Sequence, residues 1–319
     1  MKTINRRMFL GASSVAGIGT MTQAQPPSIP IIDCHIHLFD QTRPQGAPYS
    51  GGGENAEPAL PARYRKLATP LGIVGAIAVE ASPWIEDNLW LLEVEESDPF
   101  TVGAVGNLQP QKPEFKEYLD RYHKNKLFLG IRYGNLWGYS LVNQVSNAVF
   151  IEGLKLLAQA GLMLDSANPQ PDLIEAIIKV TDKVPDLRIV VDHVPAMFRG
   201  AADSSVRAAI EAGIRELAKR DRVYVKVSAV MQIVNDKPAL DPAVYKPTLD
   251  FLFDTFGENR VIFGSDWPNG TAVNNLPAIV RIMRDYFKSK SHAAAEKFFW
   301  KNSIAAYKWV HRNPSQPRI

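Results

Sequence analysis

Residues 31–38 read IIDCHIHL, a short and mostly apolar segment that lies between Pro30 and a polar run beginning at Asp40. A segment of this length and apolarity is typical of a buried β-strand. Side chains alternate between the two faces of a strand, so we expect His35 and His37 to point the same way. Two neighbouring buried imidazoles need a partner, and a divalent metal is the commonest one. The alternative is a pair of core histidines that are hydrogen-bonded to their neighbours.

Seven further segments of the same kind follow along the chain. The predicted strands cover residues 31–38, 72–81, 101–108, 127–133, 161–165, 187–193, 222–228 and 260–266. Helical patterns cover residues 88–96, 113–124, 147–160, 171–184, 205–219, 245–256, 275–288 and 291–309. Strands that alternate with helices pair in parallel, and eight such units predict an α/β fold, a closed (β/α)8 TIM barrel in a single domain. A doubly wound open sheet is the alternative, but no Gly-x-Gly-x-x-Gly turn follows any of these strands.

The composition is that of a globular protein with a sizeable core, with 46% hydrophobic and 22% charged residues in 319. Lys and Arg number 36 against 33 Asp and Glu, and Lys2, Arg6 and Arg7 supply the whole excess. The remaining chain is neutral, which gives no reason to expect nucleic acid or an anionic membrane as a partner. The sequence leaves open whether the chain forms a homo-oligomer.

Residues 1–24 are predicted to be a twin-arginine signal peptide, followed by the barrel domain in residues 25–319. Residues 5–10 read NRRMFL, a run of small and apolar residues covers 11–21, and TQA at 22–24 suits signal cleavage. The apolar run is too short to span a membrane as a helix. We therefore expect a periplasmic or secreted protein. Cys34 is the only cysteine, so no disulfide can form within the chain.

Polar side chains lie near the carboxyl ends of the predicted strands, which all meet at one mouth of a (β/α)8 barrel. They are His35, His37, Glu80, Arg132, Asp165, His193, Lys226, Ser228 and Asp266. Each alone has a structural explanation, such as capping a turn or forming an ion pair. His193 and Asp266 are the strongest candidates for function, because each places a polar group abruptly at the end of a buried run.

At these positions the sequence resembles the amidohydrolase superfamily. More narrowly it resembles the amidohydrolase-related branch of metal-dependent (β/α)8 hydrolases, which includes sugar-lactone and pyrone-dicarboxylate lactonases. The resemblance rests on DCHIHLFD at 33–40, GIR at 130–132, VVDHVP at 190–195 and VIFGSDWP at 261–268. It extends over residues 30–310 and is specific for the superfamily but not for a substrate.

The resemblance implies one divalent metal ion, with zinc as the expected ion, held by His35, His37 and Asp266. Strand four lacks the lysine that bridges two metals in binuclear members, so a second ion is not expected. Strand five has Asp165 where many mononuclear members have a metal-binding histidine. Some lactonases of this branch also lack that histidine and are thought to work without metal, so metal-free operation stays an alternative.

The resemblance and the residue types together predict a hydrolase that opens a small-molecule lactone or similar cyclic ester, carrying either sugar hydroxyls or a carboxylate. Asp266 is the expected general base, and His193 the second catalytic residue. The side chains expected to bind the substrate are Arg132, Glu80, Trp267 and Asp165. Two alternatives remain, a metal-dependent decarboxylase of an aromatic or unsaturated acid and an exported barrel that binds sugars without catalysis.

Overall fold

The structure is a computed structural model that describes residues 28–49, 57–199, 204–269 and 275–318. The predicted signal peptide, residues 1–24, lies outside these ranges. Among the helices of the described ranges, none is long and apolar enough to cross a bilayer.

Eight parallel strands form one sheet in the order β1-β2-β3-β4-β5-β6-β7-β10, and β8 and β9 form a short hairpin after β7. The strands are β1 (Ile31–Ile36), β2 (Ile73–Val79), β3 (Thr101–Gly106), β4 (Phe128–Arg132), β5 (Met163–Ser166), β6 (Arg188–Val191), β7 (Val223–Val227), β8 (Ile233–Val234), β9 (Lys237–Pro238) and β10 (Val261–Phe263). The sheet curls into a nearly closed barrel, so the predicted α/β fold, a single-domain (β/α)8 TIM barrel, is confirmed.

Helices lie between the strands and after the last one. The α-helices are α1 (Pro61–Ala68), α2 (Asp87–Ser97), α3 (Phe115–Tyr122), α4 (Leu141–Gln144), α5 (Ala148–Gln159), α6 (Pro171–Lys183), α7 (Ser204–Leu217), α8 (Lys246–Phe256), α9 (Leu276–Phe287), α10 (His292–Glu296) and α11 (Asn302–Tyr307). Short 3₁₀ segments cover Thr69–Leu71, Val194–Phe198 and Pro242–Val244. The last predicted helix is interrupted by a π-helical turn at Lys297–Lys301, which divides it into α10 and α11.

The apolar core has two layers. The larger layer packs the outer face of the barrel against the helices. The smaller one fills the barrel interior with strand residues such as Ile32, Ile77 and Ile262. Trp300 and Tyr307 from the C-terminal helical region join this inner cluster. The interior is therefore a packed core, as expected for a barrel of eight strands, and the functional groups lie at its carboxyl-end mouth.

The barrel closes between β1 and the residues that follow β10, by hydrogen bonds rather than by a continuous ladder. The Asp266 amide donates to the His35 carbonyl at 2.8 Å, and the His37 amide donates to the Trp267 carbonyl at 2.7 Å. The fully buried Asp33 carboxylate adds a side-chain link, because it accepts the Ser265 amide at 2.8 Å. These bonds hold β1 against the segment that carries Asp266.

Asp33→Ala is expected to destabilise the barrel by about 2–4 kcal/mol, because it leaves buried donors without an acceptor. Asp33 also accepts the His35 amide at 3.1 Å and the Tyr64 hydroxyl. Urea denaturation followed by circular dichroism measures the change. Tyr64→Phe, which removes only one of these donors, serves as the control and should cost about 1 kcal/mol. Equal stability of Asp33→Ala and the unmodified protein would contradict this role.

Candidate active site

The two histidines of β1 lie side by side at the barrel mouth, as their spacing predicts. His35 is fully buried, and its Nε2 lies 3.2 Å from Nε2 of His37. The other ring nitrogen of His37, Nδ1, lies 3.0 Å from the carbonyl oxygen of Val79 at the end of β2. A carbonyl can only accept, so Nδ1 of His37 carries a proton, and in the neutral ring Nε2 presents its lone pair to the site.

Asp266 follows β10 and faces both histidines. Its Oδ1 lies 3.3 Å from Nε2 of His37 and 3.6 Å from Nε2 of His35. The backbone of Asp266 is left-handed, with φ of 68°, a conformation that aspartate tolerates better than most residues. Burial alone would raise the pKa of Asp266, but the adjacent imidazoles, His193 first among them, hold it below its usual range. The carboxylate is therefore ionised at neutral pH.

His193 follows β6 and completes the group of side chains around Asp266. Its Nε2 lies 4.0 Å from Asp266 Oδ1, and its Nδ1 lies 2.8 Å from the hydroxyl of Ser228. The backbone of His193 is also left-handed, with φ of 54°. Burial lowers the pKa of His193 to about 4, so this imidazole is neutral at neutral pH. Non-glycine residues in this backbone region are costly and concentrate at functional sites.

Charged side chains are buried behind the histidines. Lys226 on β7 has its Nζ 2.7 Å from Asp192 Oδ1 and 3.0 Å from Asp165 Oδ2. Asp192 also accepts the Nε–H of Arg132 at 3.1 Å. Burial would raise the pKa of Asp192, but Lys226, His35 and Arg132 hold it well below its usual range. Burial and the neighbouring Asp192 raise the pKa of Asp165, against the opposing effect of Lys226.

The donor atoms of His35, His37 and Asp266 fit a single divalent ion. A tetrahedral ion with bonds of about 2.0–2.1 Å has its ligand atoms roughly 3.4 Å apart. The three separations in this group are 3.2, 3.3 and 3.6 Å. A second group of possible ligands within the described ranges joins Asp192 and His193 to His35, but Asp192 is already paired with two cations. The first group is therefore the better candidate for a metal centre.

A cavity of about 620 Å³ opens over this group. Its lining includes the predicted site residues His37, Glu80, Arg132, His193 and Asp266. It also includes Tyr49, Leu136, Trp137, Asn168, Gln170, Arg199 and Asn269, together with Ala81, Pro169, Ala196 and Ala229. The volume suits a small-molecule ligand, and the mixture of apolar and polar groups is typical of such a site.

Glu80 and Arg132, both predicted to bind substrate, lie in the wall of this cavity and contact each other. Arg132 Nη1 is 3.6 Å from Glu80 Oε1, and Glu80 Oε2 accepts the indole N–H of Trp137 at 2.9 Å. Burial raises the pKa of Glu80 against the opposing effects of Arg132 and His37. The guanidinium is thus held between Glu80 and Asp192, so its charge is largely compensated within the protein.

The other two predicted substrate-binding residues lie elsewhere. Asp165 is fully buried and accepts the hydroxyl of Tyr307 at 3.0 Å in addition to its contact with Lys226. Trp267 packs against Tyr64, with 5.0 Å between ring centroids. Neither side chain is among the described residues that line the cavity. Whether a residue at a strand end reaches the mouth of the barrel depends on the face of the strand to which its side chain points. A position at the end of a strand does not by itself specify that face.

Several cavity residues carry no recognisable pattern in the sequence. Tyr49 lies in the Gly- and Pro-rich stretch after β1, and its hydroxyl donates to Asn269 Oδ1. Asn269 in turn donates from Nδ2 to Asp266 Oδ1 at 3.0 Å. Trp137 and Asn168 have left-handed backbones, with φ of 58° and 52°. These residues lie in the loops that follow the strands. In the sequence, the only indication of a role is their position close to the end of a predicted strand.

Three comparisons place the chain among known proteins. L-fucono-1,5-lactonase of Burkholderia multivorans (strain ATCC 17616 / 249) is 25% identical over 305 residues, which are 90% of this chain and 98% of that protein. L-fucono-1,5-lactonase of Burkholderia ambifaria (strain ATCC BAA-244 / DSM 16087 / CCUG 44356 / LMG 19182 / AMMD) is 26% identical over 247 residues, covering 74% of this chain and 80% of that protein. A crystal structure of an amidohydrolase from Burkholderia multivorans with bound zinc superposes with a TM-score of 0.76 at 21% identity, covering 88% of this chain and all of that one.

A family model described as Amidohydrolase matches residues 32–309. The match begins one residue after the start of β1 and ends beyond α11, so it includes nearly the whole barrel and every residue of the candidate site. The chain therefore belongs to the amidohydrolase family.

Proposed function

We propose that this protein hydrolyses a lactone and that Asp266 is the general base. Membership of the amidohydrolase family makes the protein a hydrolase. The observation that carries the assignment is an ionised carboxylate in the cavity, within 4.0 Å of the Nε2 atoms of three imidazoles. The names of the two curated relatives, both L-fucono-1,5-lactonases, support a cyclic ester as the substrate.

Asp266 has one oxygen available for proton transfer. Within the described ranges its contacts with the imidazoles and with Asn269 all use Oδ1, which leaves Oδ2 to take a proton from water. As the water oxygen bonds to the lactone carbonyl carbon, its proton passes to Asp266. When the ring C–O bond breaks, the same proton passes to the leaving alkoxide, and the product is a hydroxy acid.

The remaining groups would orient the ester and stabilise the charge that forms on its carbonyl oxygen. Ser228 and Arg132 hold the ring of His193 at the cavity wall, with Arg132 Nη2 3.5 Å from His193 Nε2. A divalent ion bound by His35, His37 and Asp266 would polarise the carbonyl or acidify the water. Imidazole and carboxylate ligands in this number suit zinc, which is the ion we propose.

The cavity wall around Arg132 suits a sugar lactone better than a lactone whose carboxylate would pair with Arg132. The charge of Arg132 is compensated by Glu80 and Asp192, so this guanidinium is not free to pair with a substrate carboxylate. The indole of Trp137 offers an apolar face for a sugar ring. The amides of Asn168 and Gln170 offer neutral hydrogen bonds for hydroxyl groups.

Asp266→Asn is expected to lower kcat/KM for lactone hydrolysis by about 10²–10⁴-fold, because the amide cannot take the proton of water. The assay follows acid release from a panel that contains L-fucono-1,5-lactone, other six-membered sugar lactones and a carboxylate-bearing lactone, corrected for spontaneous hydrolysis. Asp120→Asn, which changes an exposed carboxylate paired with Lys116 on α3, is the matched control and should keep full activity. Full activity of Asp266→Asn would remove Asp266 from the mechanism. Carbon dioxide release from aromatic acids, with no lactone opened, would favour a decarboxylase instead.

One equivalent of Zn²⁺ is expected to bind per chain after treatment with a chelator, as measured by isothermal titration calorimetry. His37→Ala should weaken this binding by about tenfold or more, because ligand removal leaves only two of the three donors. Asp120→Asn again provides the control. Equal Zn²⁺ affinity in His37→Ala and the unmodified protein would show that the ion binds elsewhere.

We infer further that residues 1–24 direct export by the twin-arginine route. A reporter protein fused to residues 1–30 should reach the periplasm, whereas the fusion with Arg6→Lys and Arg7→Lys should stay in the cytoplasm. Lys2→Gln, which removes a positive charge outside the arginine pair, should not change export. Equal export of the double-lysine fusion would contradict the proposal.

A further inference from the structure

Lys226 occupies an unusual position for a lysine, since its side chain is fully buried inside the barrel. Three acceptors surround its Nζ, namely Asp192 Oδ1 at 2.7 Å, Asp165 Oδ2 at 3.0 Å and His35 Nδ1 at 3.1 Å. An ammonium group has three N–H donors and no lone pair. Two of these donors form hydrogen bonds to Asp165 and His35, and the two carboxylates keep the amine in its charged form.

This contact determines which nitrogen of His35 carries the proton. Because Lys226 can only donate, Nδ1 of a neutral His35 must accept, and the ring proton lies on Nε2. His35 Nε2 then donates to His37 Nε2 at 3.2 Å, and His37 Nδ1 donates to Val79 at 3.0 Å. One continuous chain of hydrogen bonds thus runs from Lys226 through both imidazoles to a backbone carbonyl, and it satisfies all four ring nitrogens.

A metal ion would need the opposite tautomer of His35. Nε2 can bind an ion only through its lone pair, so the proton would have to move to Nδ1, which faces the ammonium group. A proton on Nδ1 would have Asp192 Oδ1 as an acceptor, at the longer distance of 3.5 Å. Metal-binding histidines usually have an acceptor behind them, as His37 has Val79. Behind His35 the donor Lys226 lies closer to Nδ1, at 3.1 Å, than the acceptor Asp192, at 3.5 Å.

We propose that Lys226 sets the tautomer of His35 and thereby lowers the affinity of the site for a divalent ion. Lys226 is a positioning residue, since it lies outside the cavity and acts through His35. Asp165 in turn holds Lys226 in place from the opposite side, through the contact of 3.0 Å between its Oδ2 and Lys226 Nζ. The inference concerns the metal centre and does not depend on which lactone is the substrate.

The first test needs no variant. Long-range ¹H–¹⁵N correlation spectra of the chelator-treated protein with ¹⁵N-labelled histidine distinguish the two neutral tautomers, with single histidine substitutions for assignment. His35 is expected as the Nε2–H tautomer and His37 as the Nδ1–H tautomer. A proton on Nδ1 of His35 would overturn the proposal.

The second test is the double variant Lys226→Met with Asp165→Asn, which removes the ion pair as a unit so that no new unpaired charge is buried. Its His35 should change to the Nδ1–H tautomer, with Asp192 as the acceptor. Its Zn²⁺ affinity should rise by about tenfold or more, because a charge-assisted hydrogen bond no longer opposes binding. Tyr307→Phe, which removes a contact to Asp165 but none to His35, is the matched control and should keep both the tautomer and the affinity. An unchanged tautomer or an unchanged affinity in the double variant would overturn the proposal, and the spectra of the unmodified protein decide it if the variant does not fold.

Discussion

The candidate site depends on the hydrogen bonds that close the barrel between β1 and the end of β10. His35 and His37 exchange backbone hydrogen bonds with Asp266 and Trp267, so the same residues that close the sheet carry the functional side chains. Gly264 makes this approach feasible, because a Cβ atom at that position would lie 2.8 Å from the Cβ atom of His35. The separation of the imidazoles from the carboxylate is therefore fixed by backbone geometry and not by flexible side chains, which is the preorganisation that catalysis requires.

Buried charges in this barrel are compensated within the protein, and this explains why three of the predicted substrate-binding residues, Arg132, Glu80 and Asp165, have other partners. Asp192, the residue after β6, pairs with both Lys226 and Arg132, while Asp165 and Glu80 each pair with one of those cations. Removing a single member of such a network leaves an unpaired buried charge, so each residue is tied to the others. The guanidinium of Arg132 at the cavity wall is therefore already paired with carboxylates of the protein.

The sequence was sufficient to predict the fold and the proximity of the central residues of the candidate site, because both follow from simple periodicity. Apolar runs identified every barrel strand, and the convergence of strand ends brought His35, His37, His193 and Asp266 together. The last predicted strand, 260–266, was too long because the chain leaves the ladder after Phe263 to close on β1. Loop residues such as Trp137 depend on backbone conformations that periodicity does not describe.

The spacing of the two histidines of β1 predicts their position but not which ring nitrogen carries the proton. Their spacing places Nε2 of each ring in the same site, yet His37 has a carbonyl acceptor behind it and His35 has an ammonium donor. A ring with an acceptor behind it presents a lone pair, whereas a ring with a donor behind it presents a proton. The chemistry of the pair is therefore decided by Val79 on β2 and Lys226 on β7, which lie far from the motif in sequence. The asymmetry arises only when the barrel brings those strands to either side of β1.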